Sequence, residues 1–284
     1  MNMDGNEIKI RIESKAAVID CETQLSLASA NRIYFGSETC ERSIPDEKVV
    51  CDIYRKTREM GLEFSLLTPP CTDPFLGKIK KLLSSLREQR FSGEIIVNDI
   101  GVLNCVNDFG FEPVIGRLLM PVFRDPRFYE PTDDLVHRYG VGFNRHTLIF
   151  FNEKFGVTRF EIQPTSGPLD LSDFQSMGFS FSIYSPLSII SRTRLCPTEA
   201  YSRFASKSTS AGRDLYVCSK TCRDTMFLLN DAAPPHKVMI IGNAIYYENP
   251  LNIESVTGLT SIRLVENGIG KTEILKNIRE KVPL

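Results

Sequence analysis

Short runs of β-branched and aromatic residues recur along the chain at Glu7–Ile12, Arg32–Gly36, Leu62–Thr68, Glu94–Asn98, Pro113–Leu119, Thr158–Gln163, Phe179–Tyr184 and Thr260–Val265. Between several of them, apolar residues fall at helical spacing behind recognisable start signals. Pro45-Asp-Glu opens one such stretch, which continues through Val49, Val50, Ile53, Tyr54 and Met60. Thr72-Asp-Pro opens another, with Ile79, Leu82, Leu83 and Leu86 on one face. His146–Lys154, Leu169–Met177 and Glu273–Lys281 read as further helices. Strands alternating with helices argue for βα units and a parallel sheet. Eight strand candidates in 284 residues favour a (β/α)8 TIM-barrel-like fold, typically about 250 residues long, over an open sheet. The chain reads as a single domain over residues 1–284, with room for an irregular or incomplete barrel and with a cysteine-rich segment at 192–223.

A barrel of this kind places functional groups where its strands end. Glu94-Ile-Ile-Val reads as a buried strand, and Asn98-Asp99-Ile-Gly101 follows at its carboxyl end. Gly116-Arg117 closes another apolar run in the same way, and Cys40 closes Ile33-Tyr-Phe-Gly-Ser-Glu-Thr-Cys40. Asn98, Asp99, Arg117 and Glu161 are thus polar residues at predicted strand ends. Asn98, Arg117 and Glu161 are candidates for contact with a small-molecule substrate, and a guanidinium at Arg117 suits a carboxylate. The plainer reading of Asp99 and Glu161 is a loop cap or a rim salt bridge.

Composition narrows the function classes. A net charge of -1 and a pI near 6.4 argue against nucleic-acid binding as a role, although a basic stretch around Ser202–Arg213, including Lys207 and Arg213, leaves RNA modification in view. No apolar run is long enough to span a bilayer, and the first residues lack a signal-peptide pattern, so a cytoplasmic location is expected. In a reducing compartment the eight cysteines read as thiols, metal ligands or redox groups rather than structural disulfides.

Four of those cysteines stand apart. Cys218-Ser-Lys-Thr-Cys222 is a tight pair, Cys196 lies upstream of it, and Cys40 sits where a strand hands over to a loop. Four thiolates converging from these places suit a soft metal centre, either an iron–sulfur cluster or tetrahedral zinc. The remaining four are a control. Cys51 and Cys105 lie among apolar residues and read as small core hydrophobes, whereas Cys21 and Cys71 lie in loop-like contexts.

The strings Ile33–Cys40, Val97-Asn-Asp-Ile-Gly101, Pro186-Leu-Ser-Ile-Ile-Ser-Arg-Thr-Arg-Leu-Cys196 and Cys218-x-x-x-Cys222 resemble peptidase U family 32, the collagenase-like family, and within it the ubiquinone-biosynthesis branch. The resemblance runs roughly from Arg32 to Val265. It implies a TIM-barrel-like fold, a 4Fe–4S cluster held by Cys40, Cys196, Cys218 and Cys222, and a part in hydroxylation without molecular oxygen. It also implies a heteromer with a related, UbiU-like subunit of the same family. Two departures bear on the substrate: a long gap between Cys196 and Cys218, and Phe179-Ser-Phe-Ser-Ile-Tyr where the family tends to carry acidic residues.

Other chemistries find less support. The chain has no His-Glu-x-x-His or Gly-x-Ser-x-Gly string. Its three histidines, His137, His146 and His236, include two that flank a Gly-rich turn and read as surface residues. Gly268-Ile-Gly-Lys-Thr272 resembles the end of a phosphate-binding loop, but Val265 stands where its first glycine belongs. It reads as a Gly-rich turn, or at most an anion site at a helix start. A peptidase and a non-catalytic partner subunit with structural zinc remain as alternatives from other classes.

Overall fold

The computed structural model describes residues 11–19, 30–120, 144–164, 169–205, 218–223, 225–229 and 238–267. Eight parallel strands close into a barrel: β1 (Arg11–Ile19), β2 (Arg32–Gly36), β3 (Glu63–Thr68), β4 (Glu94–Val97), β5 (Glu112–Ile115), β6 (Arg159–Ile162), β8 (Ser180–Ser185) and β14 (Ser261–Glu266). Around the barrel the order is β1-β14-β8-β6-β5-β4-β3-β2, and β1 pairs with β2 to close it. The loosest seam joins β5 to β6, where Ile115 and Phe160 are the one register pair.

Each strand sends alternate residues to opposite faces. Ile33, Phe35, Phe64, Leu66, Ile95, Val97, Phe160, Ile162, Phe181 and Ile183 belong to the large core shared with the helices. Tyr34, Leu67, Ile96, Val114, Tyr184 and Val265 form a separate cluster, which is the barrel interior. Burial on both faces is why these strands read as nearly unbroken apolar runs. At the amino end the interior turns polar: Glu94 accepts from Arg32, Ser65 and Arg263. Around Glu94, this group of charges closes the barrel floor.

Helices cover the outside. Among the described residues they are α1 (Glu47–Glu59), α2 (Asp73–Glu88), α3 (Ile100–Asp108) and α4 (Arg145–Phe155), in the successive connections from β2 to β6. In α2, Pro74 pre-sets the first turn, and Ile79, Leu82, Leu83 and Leu86 bury one stripe. Full burial of a leucine such as Leu83 is worth roughly 1.5–3 kcal/mol. Asp99 caps α3 by accepting from the amides of Gly101 and Val102. That is the capping role weighed for it in the sequence. Asn144 caps α4, which stops at Gly156 in the left-handed region (φ 68).

After β6 the strand–helix alternation gives way. The stretch expected as a helix, Leu169–Met177, begins instead with β7 (Leu169–Asp170) and carries only a short α5 (Ser172–Gln175). Asp170 turns the chain there, its carboxylate accepting from the Ser172 amide and hydroxyl. β7 pairs in parallel with β13 (Val256–Thr257). Between β8 and β14 the chain leaves the barrel to build an antiparallel sheet, absent from the sequence-based expectation. Its order is β10-β11-β12-β9, from β9 (Leu187–Arg192), β10 (Met226–Leu229), β11 (Val238–Ile241) and β12 (Ala244–Glu248). A further helix, α6 (Pro197–Ala205), follows Cys196. The fold is therefore a mixed α/β protein built on a closed parallel barrel. The expected helix at Glu273–Lys281, the loop-like Gly268–Thr272 string, His137, His236 and Cys21 lie outside the described residues.

Candidate metal centre

The carboxyl rim of the barrel brings the segments carrying all four cysteines to one place. β2 ends at Gly36, with φ 139, where a Cβ would run into the carbonyl oxygen of Leu67. Glycine is required for so close a strand crossing. The chain then turns through Ser37, whose hydroxyl donates to the Cys40 carbonyl at 2.8 Å. The carbonyl of Thr39, next to Cys40, accepts from Arg192 Nε at 2.6 Å and from Asn243 Nδ2 at 2.9 Å.

Asn243 lies in the turn between β11 and β12 with Gly242, and this turn is the hub of the site. Asn243 Nδ2 also donates to the Thr193 carbonyl, and the Thr193 amide donates back to the Asn243 carbonyl. The Gly242 carbonyl accepts from the hydroxyl of Thr198, two residues beyond Cys196. A Cβ on Gly242 would stand 3.7 Å from Cys222 Sγ. Glu199 completes the ring: its carboxylate accepts from the amide and hydroxyl of Ser219, inside the Cys218–Cys222 turn.

Two amides already point at sulfur. The Glu199 amide donates to Cys196 Sγ at 3.5 Å, and the Lys220 amide donates to Cys218 Sγ at 3.4 Å. Lys220 holds a left-handed backbone (φ 59), a conformation costly for a side-chain-bearing residue unless its surroundings fix it. Burial pushes the Cys196 thiol up, and the neighbouring Cys40 and Cys218 push it further the same way. Cys40, Cys196, Cys218 and Cys222 are all half-buried. The described residues hold no group of three or more His, Cys, Asp or Glu side chains arranged to grip an ion. The cysteine-bearing segments meet, but their sulfurs are not drawn into one ligand set. The donor chemistry of four thiols, with N–H groups directed at two of them, fits an iron–sulfur cluster.

The control cysteines behave differently. Cys51 and Cys105 are buried in the core between barrel and helices. The Cys71 thiol donates to the Pro69 carbonyl, and burial pushes its pKa up to about 12.

A cavity of about 280 Å³ adjoins the hub, lined among others by Pro70, Asn98, Arg117, Gln163, Ile189 and Arg192. Pro70, Asn98, Arg117 and Gln163 stand just beyond the ends of β3, β4, β5 and β6. Asn98 is fixed by bonds to the Thr68 carbonyl and the Leu118 amide. It lies where a Cβ on Gly116 would collide with it. Arg117 is buried and already engaged. It makes a two-pronged pair with Glu38 at 2.6 and 2.8 Å, donates to the Leu187 carbonyl, and stacks 3.9 Å over the Tyr184 ring. Burial works against its charge, but Glu38 holds it firmly protonated. An anionic guest would have to displace Glu38.

Glu161, expected at a strand end, faces the barrel interior from the middle of β6. Its Oε2 accepts from Tyr184 at 2.8 Å, and its Oε1 is buried without a hydrogen bond. Burial pushes its carboxyl up to about 7, against the lowering effect of the tyrosine hydroxyls. The polar residue of β6 that reaches the cavity is Gln163, bonded to both the amide and the carbonyl of Ile189. Sequence reasoning passed over Gln163, Arg192, Glu199 and Asn243. A signal existed for the last: Gly242-Asn243 between two apolar runs is a hairpin turn pattern. His146 is exposed at the start of α4, as expected of a surface residue.

No family model and no curated protein matches the chain. Among solved structures it is similar to the U32 peptidase Mk0906 at 11% identity, covering 91% of this chain and 93% of that one, with a TM-score of 0.40. A likeness that slight leaves the functional argument to the residues themselves. They define an α/β barrel protein whose carboxyl rim gathers the segments bearing the four cysteines around the Gly242–Asn243 turn, with a small cavity of mixed polar and apolar lining beside it. None of the described helices is long and apolar enough to cross a membrane.

Proposed function

We propose that the chain is a 4Fe–4S protein on a (β/α)8 plan and a component of an oxygen-independent hydroxylation system. The observation that carries the reading is the Gly242–Asn243 turn, which contacts Thr39, Thr198 and Cys222 and so joins the segments of Cys40, Cys196 and Cys222. Cys40, Cys196, Cys218 and Cys222 would hold the cluster. A bound cluster of this kind supplies one-electron redox chemistry, with a potential tuned by hydrogen bonds to its sulfurs and by burial. The amides of Glu199 and Lys220 provide such bonds.

The adjoining cavity is the substrate site in this reading. Arg192 lines it while bonding to the carbonyl beside Cys40, so a molecule held there would lie next to the centre. Asn98 and Arg117 shape its walls, and Glu161 stands beneath as a buried acid. The substrate class is an aromatic or quinone-type precursor or another small metabolite. That class and a UbiU-like partner subunit rest on the resemblance of the cysteine-bearing strings to the ubiquinone-biosynthesis branch of peptidase U family 32, and a cytoplasmic location rests on the short apolar runs and the composition.

Single replacements test the ligand set. After anaerobic purification, Cys40→Ser, Cys196→Ser, Cys218→Ser and Cys222→Ser should each lose iron and acid-labile sulfide, while Cys71→Ser and Cys105→Ala keep both. Zinc in place of iron in the unmodified chain, or full iron in any of the four variants, contradicts the reading.

A further inference from the structure

We infer that Glu199 is the positioning residue of the cysteine centre, tying the Cys218–Cys222 turn to the Cys196 helix and fixing a negative charge beside both. The inference rests on the cluster reading above and concerns one residue of it. Glu199 is only 8% exposed and acts from both ends. Its amide donates to Cys196 Sγ at 3.5 Å. Its Oε2 accepts the Ser219 amide at 3.1 Å and the Ser219 hydroxyl at 2.6 Å.

Ser219 in turn shares a 2.6 Å hydrogen bond with Thr221. One carboxylate oxygen therefore orders the backbone between Cys218 and Cys222. That order includes Lys220, whose left-handed conformation aims its amide at Cys218 Sγ. Losing this acceptor removes two of the hydrogen bonds that hold the turn in which Lys220 is strained.

A carboxylate is also an unfavourable neighbour for thiolates, since like charges oppose ionisation. A cluster held by four thiolates would be anionic and would gain a further negative charge on reduction. The fixed charge would then favour the oxidised cluster and lower its potential, whereas a neutral acceptor would order the turn without doing so. Position and charge thus separate experimentally.

The test compares Glu199→Gln, Glu199→Ala and the unmodified chain after anaerobic reconstitution with iron and sulfide. Glu199→Gln keeps an acceptor and should retain iron, with a more positive reduction potential in a dye-mediated titration followed by electron paramagnetic resonance. Glu199→Ala should release iron to a chelator about tenfold faster. Equal release rates and equal potentials in all three would overturn the inference. A second arm needs no metal: bridging of Cys196 to Cys218 by dibromobimane in the iron-free protein, read by peptide mass spectrometry. Its yield should fall several-fold in Glu199→Ala and hold in Glu199→Gln, with circular dichroism confirming both variants folded. If the unmodified chain takes up no iron, the cluster reading fails and the bridging yield alone decides the clasp, unchanged yield refuting it.

Discussion

Removing Glu38 should destabilise the protein far more than removing its partner Arg117. The two side chains form a two-pronged pair with contacts of 2.6 and 2.8 Å. They are unequally buried, Arg117 at 1% side-chain exposure and Glu38 at 12%. Glu38→Ala strands a guanidinium inside the protein. Losing one member of a buried pair costs about 3–5 kcal/mol. Arg117→Met leaves Glu38 able to turn toward water and removes one charged hydrogen bond to the Leu187 carbonyl, which keeps its bond from Asn267, a loss of about 1.5–3 kcal/mol. The double variant should cost no more than Glu38→Ala alone, giving a coupling of about 2 kcal/mol. Urea unfolding followed by circular dichroism, run as a double-mutant cycle, measures all three values. A cost below about 1 kcal/mol for Glu38→Ala, or simple additivity, would refute the reasoning that Glu38 is what compensates the buried guanidinium.

The two buried acids of the barrel should respond to pH in opposite directions. Burial raises the folded pKa of Glu161 from 4.5 to about 7, so its cost to the fold grows as pH rises between those values and reaches about 3 kcal/mol above them. Glu161→Gln should therefore flatten stability between pH 5 and about 8 and gain most at the alkaline end; parallel profiles for the two proteins would show the acid is not strained. For Glu94, burial is outweighed by Arg263, Arg32 and Arg159, which hold its carboxyl below the usual 4.5. Its contribution is complete above that value and disappears as pH falls through the lower, folded one. Glu94→Ala should cost about 3–5 kcal/mol near neutrality by stripping Arg263 of its carboxylate and leaving Arg32 with Glu63 alone, and its deficit should shrink in acid; a deficit that is constant with pH counts against the charge cluster.

The barrel was legible because its strands are buried on two faces. Ile33-Tyr-Phe and Glu94-Ile-Ile-Val could hardly be anything but interior strands, and both lie where they were expected. The first strand runs further along the chain than its alternating charged and apolar pattern at Glu7–Ile12 indicates: β1 reaches Ile19, and residues 7–10 lie outside the described residues. The antiparallel sheet was missed because β10, β11 and β12 are short and leave the βα rhythm. Leu169–Met177 has helical spacing, but Asp170 ties down the turn before the helix can extend. At the site, the cysteines could be picked out by type and spacing. Their organisers could not, because the bond from Asn243 to Thr39 spans 204 residues and depends wholly on the finished fold. Arg117 lies just beyond the end of β5, where the sequence placed a cation for a substrate carboxylate, but the carboxylate it holds is Glu38, 79 positions away and invisible to any local pattern.

The central claim is that four thiols on the barrel rim hold an iron–sulfur cluster. Its most direct test is the iron and acid-labile sulfide content of the anaerobically purified chain, together with the electron paramagnetic resonance of the dithionite-reduced protein. A 4Fe–4S centre predicts about four irons and four sulfides per chain and a low-temperature spin-half signal. A chain that carries zinc, or that stays free of iron after reconstitution with iron and sulfide, would contradict it.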